Sequence, residues 1–215
     1  MSDMDDQTEA FYAHYAQHIA PGAEAARSAM AAHFTSCFEP GSRVLDVGAG
    51  SGRDVLALLE LGFDAYGVEP VQAMLNQALT RHPELQTRLT PGSLPELGRP
   101  FGKADWQGVV CSAVLMHLPP QQMAAAMTAV VALLAPAGPV LLSLPQMPEE
   151  KIRADRDPQG RLFYNHPPQA MKALMKRLGM ELRGQWDSHA VWEQTGTVWI
   201  TQWFERAPTP APAGL

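Results

Sequence analysis

Between Val44 and Asp54 the chain reads VLDVGAGSGRD, an apolar run that enters three closely spaced glycines and leaves them directly into a second apolar segment. A strand that must turn at once into a helix needs backbone angles that glycine adopts without steric cost, and glycine also lets another group approach the main chain. Gly48, Gly50 and Gly52 supply this at GxGxG spacing, and Val55 to Leu61 carries the apolar pattern of the following helix. An isolated GxGxG suits an ordinary turn as well as a ligand-holding loop. The preceding strand and following helix favour the ligand loop.

The rest of the chain repeats this theme. Short apolar runs at 43–47, 65–68, 85–89, 106–111 and 139–144 read as strands, and amphipathic runs at 52–61, 71–81 and 120–134 read as helices between them. Such alternation builds βαβ units, and predicts a three-layer Rossmann-like α/β sandwich with a mostly parallel sheet and helices on both faces. In 120–134, Met123, Met127, Val130, Val131 and Leu134 recur at helical spacing and mark one buried face. Before Ser42, helical patterns at 7–19 and 23–38, broken by Pro21-Gly22, predict a helical cap over 1–41 on a core spanning 42–145. After Pro145, MPEEKIRADRDPQGR is too hydrophilic for the sheet and predicts a lid loop over 146–166. A helix at 167–178 follows. Two strand-like runs, 181–186 and 197–204, are expected to pair at the sheet edge and to give the sheet an antiparallel C-terminal strand. The tail over 207–215, rich in proline and alanine, is expected to be disordered. At 215 residues the chain suffices for one such domain and is short for two.

Composition narrows the partners. A net charge of -6 offers no reason to gather on phosphate backbones or anionic lipid, so neither nucleic acid nor membrane is expected. The two cysteines, Cys37 and Cys111, form no CxxC pair and suit a reduced, cytoplasmic protein. The acidic start MSDMDDQTEA lacks the basic and apolar regions of a signal peptide, and no apolar run is long enough to span a bilayer.

Two carboxylates indicate what the glycine loop holds. Asp46, two positions before Gly48, puts a negative charge at the carboxyl end of its strand, where a cationic ammonium or sulfonium is welcome and a pyrophosphate is not. Arg53 stands where the nicotinamide fingerprint GxGxxG has its last glycine, and the phosphate-loop pattern GxxxxGK[ST] is absent. Glu69 closes the second strand in DAYGVEP, a position from which a carboxylate accepts two hydrogen bonds from a ribose diol. The plainer alternative is a solvated carboxylate at a strand end.

Taken in order, VLDVGAGSGRD, GVEPVQAML, VVCSAVLMHLPP and LLAPAGPVLLSL resemble the successive motifs of class I S-adenosylmethionine-dependent methyltransferases over roughly residues 43–145. The resemblance implies methyl transfer from S-adenosylmethionine to an acceptor, with S-adenosylhomocysteine as product. It places Asp46, Gly48, Ala49, Gly50 and Gly52 around the methionine part of the cofactor, Glu69 on its ribose, and Pro70 and Met74 beside adenine. Arg53 would approach the cofactor carboxylate, and Ser112 would follow the fourth strand into the site. Where the family offers an acid to the adenine amine, this chain has Gly92, Ser93 and Leu94, which leaves adenine to Ser93, Leu94 or main-chain groups. The turn Pro136-Ala137-Gly138-Pro139 replaces the usual Pro-Gly-Gly. Residues 11–15 are similar to the tyrosine-containing N-terminal cap of small-molecule members, which would set Tyr12 or Tyr15 over the site, with Tyr15 against the cofactor. Packing between helices is the alternative for either ring.

Methyl transfer is an in-line displacement, for which proximity and orientation can supply about 7–11 kcal/mol without a protein nucleophile. An oxygen acceptor gains from a base. His117, in CSAVLMHLPP, is a candidate base or a hydrogen-bonded structural histidine, and His166 is a second candidate base. The loop residues Arg153, Arg156 and Arg161, interleaved with Asp155 and Asp157 and followed by Phe163 and Tyr164, suit either closure over a polar or anionic small molecule or ion pairing within a solvated loop. Cys111-Ser112-Ala113-Val114 differs from the Asp/Asn-Pro-Pro-aromatic motif of DNA amine methyltransferases, so a small-molecule acceptor is expected. No metal site is expected, because no carboxylate cluster occurs and His14 and His18 fit a solvated helix face. Trp186, Trp192, Trp199 and Trp203 are read as packing of the terminal strands. Two other classes compete: an accessory protein that keeps the cofactor pocket without catalysis, and a nicotinamide oxidoreductase, against which the glycine spacing and Asp46 both count.

Overall fold

The computed structural model describes residues 4–19, 28–189 and 196–206. Seven strands form one sheet in the order β3-β2-β1-β4-β5-β7-β6. They are β1 (Arg43–Val47), β2 (Asp64–Glu69), β3 (Leu89–Pro91), β4 (Gly108–Cys111), β5 (Val140–Gln146), β6 (Met180–His189) and β7 (Val198–Arg206). β1 to β5 are parallel, and β7 lies antiparallel between β5 and β6. The helices are α1 (Asp6–His18), α2 (Phe34–Cys37), α3 (Arg53–Glu60), α4 (Gln72–Arg81), α5 (Met123–Ala132) and α6 (Pro168–Arg177).

The strand sequences explain the layering. Successive side chains of a strand point to opposite faces, and parallel strands covered on both faces read as unbroken apolar runs. Val44, Val110 and Leu141 pack on one side with Phe34, Val55, Leu58 and Leu75, from α2, α3 and α4. Their neighbours Leu45, Val109 and Leu142 pack on the other with Met127, Val130, Met171 and Met175, from α5 and α6. Met123, Met127, Val130, Val131 and Leu134 are all buried, as their spacing predicts. Each such side chain removed from water contributes about 1.5–3 kcal/mol.

Several local expectations shift. The run at 85–89 is not a strand: Pro83–Leu85 forms a 3-10 turn with Leu85 fully buried, and β3 begins at Leu89 where it pairs with Gly67. Pro83 explains this, because it lacks an N–H for a ladder and fits the first position of a turn. The helix expected at 120–134 opens with a 3-10 turn at Pro120–Gln122 before α5. From Ser28 onward the second N-terminal helix is instead a 3-10 turn (Ala29–His33) followed by the four-residue α2, whose Thr35, Ser36 and Cys37 are weak helix formers. Pro21-Gly22, residues 23–27, Trp192 and the tail 207–215 lie outside the described residues. Among the described residues no helix is long and apolar enough to cross a membrane.

The segment after β5 lies outside the sheet, as its polarity predicts, and it is fastened to α1. Asp5 caps α1 by accepting from Thr8 N–H at 2.9 Å, and its carboxylate also takes both Nη1 and Nη2 of Arg156, at 2.9 and 2.8 Å. That pairing holds the Asp5 carboxyl well below the usual carboxylate range, chiefly through Arg156. Thr8, fully buried, accepts the N–H of Leu162 on its hydroxyl at 2.8 Å. Strand order reverses between β1 and β4, so the crevice at their carboxyl ends is where an α/β sheet binds its ligand. α1 and the segment 159–163 roof it.

Candidate active site

Beneath that roof lies a cavity of about 600 Å³ whose floor is the glycine loop and the ends of β1, β2 and β4. The loop is held from behind. Gly48 and Ala49 donate their N–H groups to Val68 O at 2.8 and 2.9 Å, and Gly50 donates to Glu69 Oε2 at 2.9 Å. Gly48 has φ +80°, and a Cβ there would come 2.2 Å from Val114 Cγ2, so close packing as well as conformation demands glycine.

Of the residues expected to hold a cofactor, Asp46, Gly48, Ala49, Gly50 and Arg53 line the cavity at the glycine loop. Glu69, Pro70 and Met74 line it beside β2, and Ser93, Leu94 and Ser112 after β3 and β4. Tyr15 reaches it from α1, 45% exposed and stacked on Phe11 at 6.1 Å. Gly52 is the exception. It caps α3 at φ +82° and is buried outside the lining, where a Cβ would sit 2.6 Å from Leu85 Cδ1, so it is a turn and packing residue.

The two acids differ in what they already bind. Glu69 Oε1 accepts from Val71 N–H and Oε2 from Gly50 N–H, each at 2.9 Å, leaving each oxygen acceptor capacity toward the cavity. Burial pushes its carboxyl up, and those two N–H groups oppose the shift. Asp46 is 1% exposed, and its Oδ1 has no hydrogen-bond partner among the described residues. Burial, reinforced by the neighbouring Asp54, pushes its carboxyl well above the usual range, with Arg53 pulling the other way. Arg53 lies 3.6 Å from Asp54 through Nε, and is more than a third exposed. A buried carboxyl with one oxygen unpartnered at the edge of a cavity is a place for a cation.

On the opposite side the roof brings together residues from three distant parts of the chain. Tyr12 of α1 lies 2.8 Å from His117 Nε2 through its hydroxyl, and His117 Nδ1 lies 2.6 Å from Leu162 O. Because a carbonyl can only accept, Nδ1 carries the ring proton, Nε2 is the acceptor, and the Tyr12 O–H donates to it. Arg161 Nη1 donates to the Tyr12 oxygen at 3.1 Å, while its Nε and Nη2 grip Asp157 Oδ2 at 2.7 and 2.6 Å. The guanidinium also lies over the Phe11 ring at 4.8 Å. Burial holds the His117 imidazole down at about 4; Arg161 adds to this, and the Leu162 carbonyl opposes it. His117 therefore lines the cavity as a neutral ring with both nitrogens engaged.

His166, the other candidate base, falls outside the cavity. It is 7% exposed, and its Nε2 donates to Leu118 O at 3.0 Å, so it braces the 115–118 segment. Burial pushes its imidazole below the usual value. Of the loop arginines, Arg156 and Arg161 are spent on Asp5 and Asp157, which fits ion pairing, here reaching across to α1. Phe163, 2% exposed, packs with Met116 and Met147 against Trp199 to form an apolar wall. Trp199 thus belongs to the cavity, whereas Trp186 and Trp203 pack on the sheet core as expected. Among the described residues no group of His, Cys, Asp and Glu is arranged to hold a metal.

Solved structures share this architecture. A TehB-like SAM-dependent methyltransferase from Corynebacterium glutamicum superposes with a TM-score of 0.67 at 20% identity, covering 92% of this chain and 99% of that one. Magnesium protoporphyrin IX methyltransferase from Synechocystis PCC 6803 with bound SAH gives 0.64 at 17% identity, covering 96% and 90%. The 1,6-didemethyltoxoflavin-N1-methyltransferase of Burkholderia thailandensis, with bound 1,6-didemethyltoxoflavin and S-adenosylhomocysteine, gives 0.62 at 18% identity, covering 93% and 79%. At these identities the likeness establishes a shared fold. No curated protein sequence matches the chain. The family described as "Methyltransferase domain" matches residues 12–185, a span that holds the glycine loop, Glu69, Tyr12, His117 and Arg161, and the chain belongs to that family.

Proposed function

We propose that this protein transfers a methyl group from S-adenosylmethionine to a small-molecule acceptor enclosed between the sheet ends and the roof. The observation that carries the reading is Asp46, a buried carboxyl whose Oδ1 has no partner among the described residues and which lines the cavity beside the glycine loop. Its chemistry fits the cationic end of this donor, while the free acceptor capacity of Glu69 fits a ribose diol. Pro70, Met74, Ser93 and Leu94 would flank the adenine, and Gly48 and Gly50 would give the methionine part access to the main chain. When bound, the donor supplies a methyl group carried on a cationic sulfur. The protein's own share is to hold the acceptor in line and to keep water out, which proximity makes worth about 7–11 kcal/mol.

A small acceptor is supported by the enclosure, since a cavity of about 600 Å³ that must also hold the donor leaves room for a compact molecule. The net charge of -6 supports the same choice over nucleic acid. Titration calorimetry with S-adenosylhomocysteine, and with a reduced nicotinamide dinucleotide as control, tests the donor. Binding of the adenosyl compound and not of the dinucleotide is expected. The converse result overturns the reading.

A further inference from the structure

The roof also bears on the acceptor, and this inference rests on the methyl-transfer reading. We propose that Tyr12 is the catalytic residue that receives the acceptor's proton, that His117 stands behind it as the group to which Tyr12 passes its own, and that the acceptor is a neutral hydroxyl compound with an apolar or aromatic body.

The hydrogen bonds dictate the order of the relay. His117 cannot meet an acceptor directly, because Nδ1–H is given to Leu162 O and the Nε2 lone pair is taken by the Tyr12 O–H. A phenol oxygen has one proton to donate and two lone pairs with which to accept. The Tyr12 proton goes to His117, one lone pair goes to Arg161 Nη1, and the remaining lone pair is unassigned on a residue that lines the cavity. A group that can only accept requires a partner that donates.

Charge and shape define that partner further. Arg161 sits 3.1 Å from the Tyr12 oxygen, and together with a cationic donor it repels an ammonium. Asp157 offers an ammonium no counter-charge either, because its carboxylate is taken by Nε and Nη2 of Arg161 and by the N–H groups of Gln159 and Arg161. Among neutral donors a hydroxyl is the one that gains from a proton relay, since a neutral amine attacks through its own lone pair. The wall beside it, built by Met116, Met147, Phe163 and Trp199, offers apolar and aromatic surface to the rest of the molecule.

The step balances. The acceptor oxygen forms a bond to the methyl carbon as the carbon–sulfur bond breaks with its electron pair left on sulfur. The acceptor's proton moves to the Tyr12 oxygen, and the Tyr12 proton moves to His117 Nε2. One positive charge leaves sulfur and one arrives on the imidazole, whose Nδ1–H bond to Leu162 is untouched. Burial makes His117 a reluctant cation, which favours release of that proton to water once the product has gone.

The test uses Tyr12→Phe, which keeps the ring against Phe11 and removes the hydroxyl. Labelled S-adenosylmethionine is given, at a pH midway between the two probes' own titrations, with 2-naphthol, a weakly acidic hydroxyl probe that stays protonated there, or with 4-nitrophenol, which is largely ionised there. Wild-type protein is expected to methylate both. The variant is expected to lose about 100-fold in kcat on 2-naphthol and far less on 4-nitrophenol, which needs no proton acceptor. Nitrogen NMR of the His117 ring gives a second readout: 2-naphthol added to protein loaded with S-adenosylhomocysteine shifts the Nε2 signal in the wild type and not in the variant. Equal losses on both phenols, or an unmoved Nε2 signal, overturn the relay. Wild-type protein that binds S-adenosylhomocysteine yet methylates neither phenol overturns the hydroxyl assignment, and failure to bind S-adenosylhomocysteine overturns the methyl-transfer reading instead.

Discussion

Acidification should weaken the fold through His117 in a way that one substitution can isolate. In the folded chain the imidazole is held at about 4, against 6.5 for an unperturbed histidine. Tyr12 and Arg161 face the ring from α1 and the loop, Asp157 lies behind Arg161, and burial together with the Arg161 charge disfavours a second ring proton. Between the two values the unfolded chain binds a proton that the folded chain does not, so stability falls as pH falls through this window and is unaffected by His117 above it. Each pH unit inside the window is worth about 1.4 kcal/mol, so lowering the pH from 7.5 to 5 should remove about 2 kcal/mol. Against a total of about 5–15 kcal/mol for a domain this is a large share. Urea denaturation of wild type and His117→Gln at both pH values separates the effect from every other titrating group. The variant loses a fixed amount through its altered hydrogen bonds, and the wild-type advantage over it should shrink by about 2 kcal/mol at the lower pH. A constant advantage, or an NMR titration that places His117 above pH 6, refutes the reasoning.

Two further substitutions address the floor of the cavity. Glu69→Ala removes the proposed ribose acceptor and also frees the N–H groups of Gly50 and Val71; it should weaken S-adenosylhomocysteine binding about tenfold or more, and unchanged affinity by calorimetry contradicts the assignment. Gly48→Ala forces a side chain into φ +80° and against Val114, at about 1–2 kcal/mol for the left-handed backbone and about 1–3 for overpacking. Adding Val114→Ala should recover the second part only, as read from urea denaturation of both variants; a Gly48→Ala protein as stable as wild type contradicts the packing argument.

The fold was legible because its information is local. Val44 and Leu45, or Leu141 and Leu142, read as unbroken apolar runs since each strand is covered on both faces, and the glycine loop marks the first strand-to-helix turn without reference to anything distant. That Asp46, Glu69 and two of the loop glycines would meet at one cavity was legible for the same reason, because they sit on two successive strand ends. The roof was not. Nothing in the sequence pairs Tyr12 with His117 or Thr8 with Leu162, which meet only after the chain has folded. His117 and His166 looked alike as titratable residues, yet one lines the cavity and the other braces a neighbouring segment. Trp199 shows how register decides a role: it pairs with Pro145 at the carboxyl end of β5, beside the cavity, whereas Trp203 pairs with Leu141 in the core. Arg161 and Asp157, four apart, carried the one local hint that the loop was internally fixed.

The placement of β7 has a consequence for how the chain is made. β5 pairs with β4 on one side and with β7 on the other, and Val140, Leu141 and Leu142 within it are fully buried. As synthesis proceeds, residues 147–197 must appear before β7 exists, so until then this buried apolar strand presents a row of open backbone donors and acceptors to any passing neighbour. β6, made earlier, cannot seal that edge, because its partner in the finished sheet is β7 alone. The final strand is a seal that arrives late, and a ribosome that stalls before Val198 releases a sheet with an open, self-adhesive β5 edge.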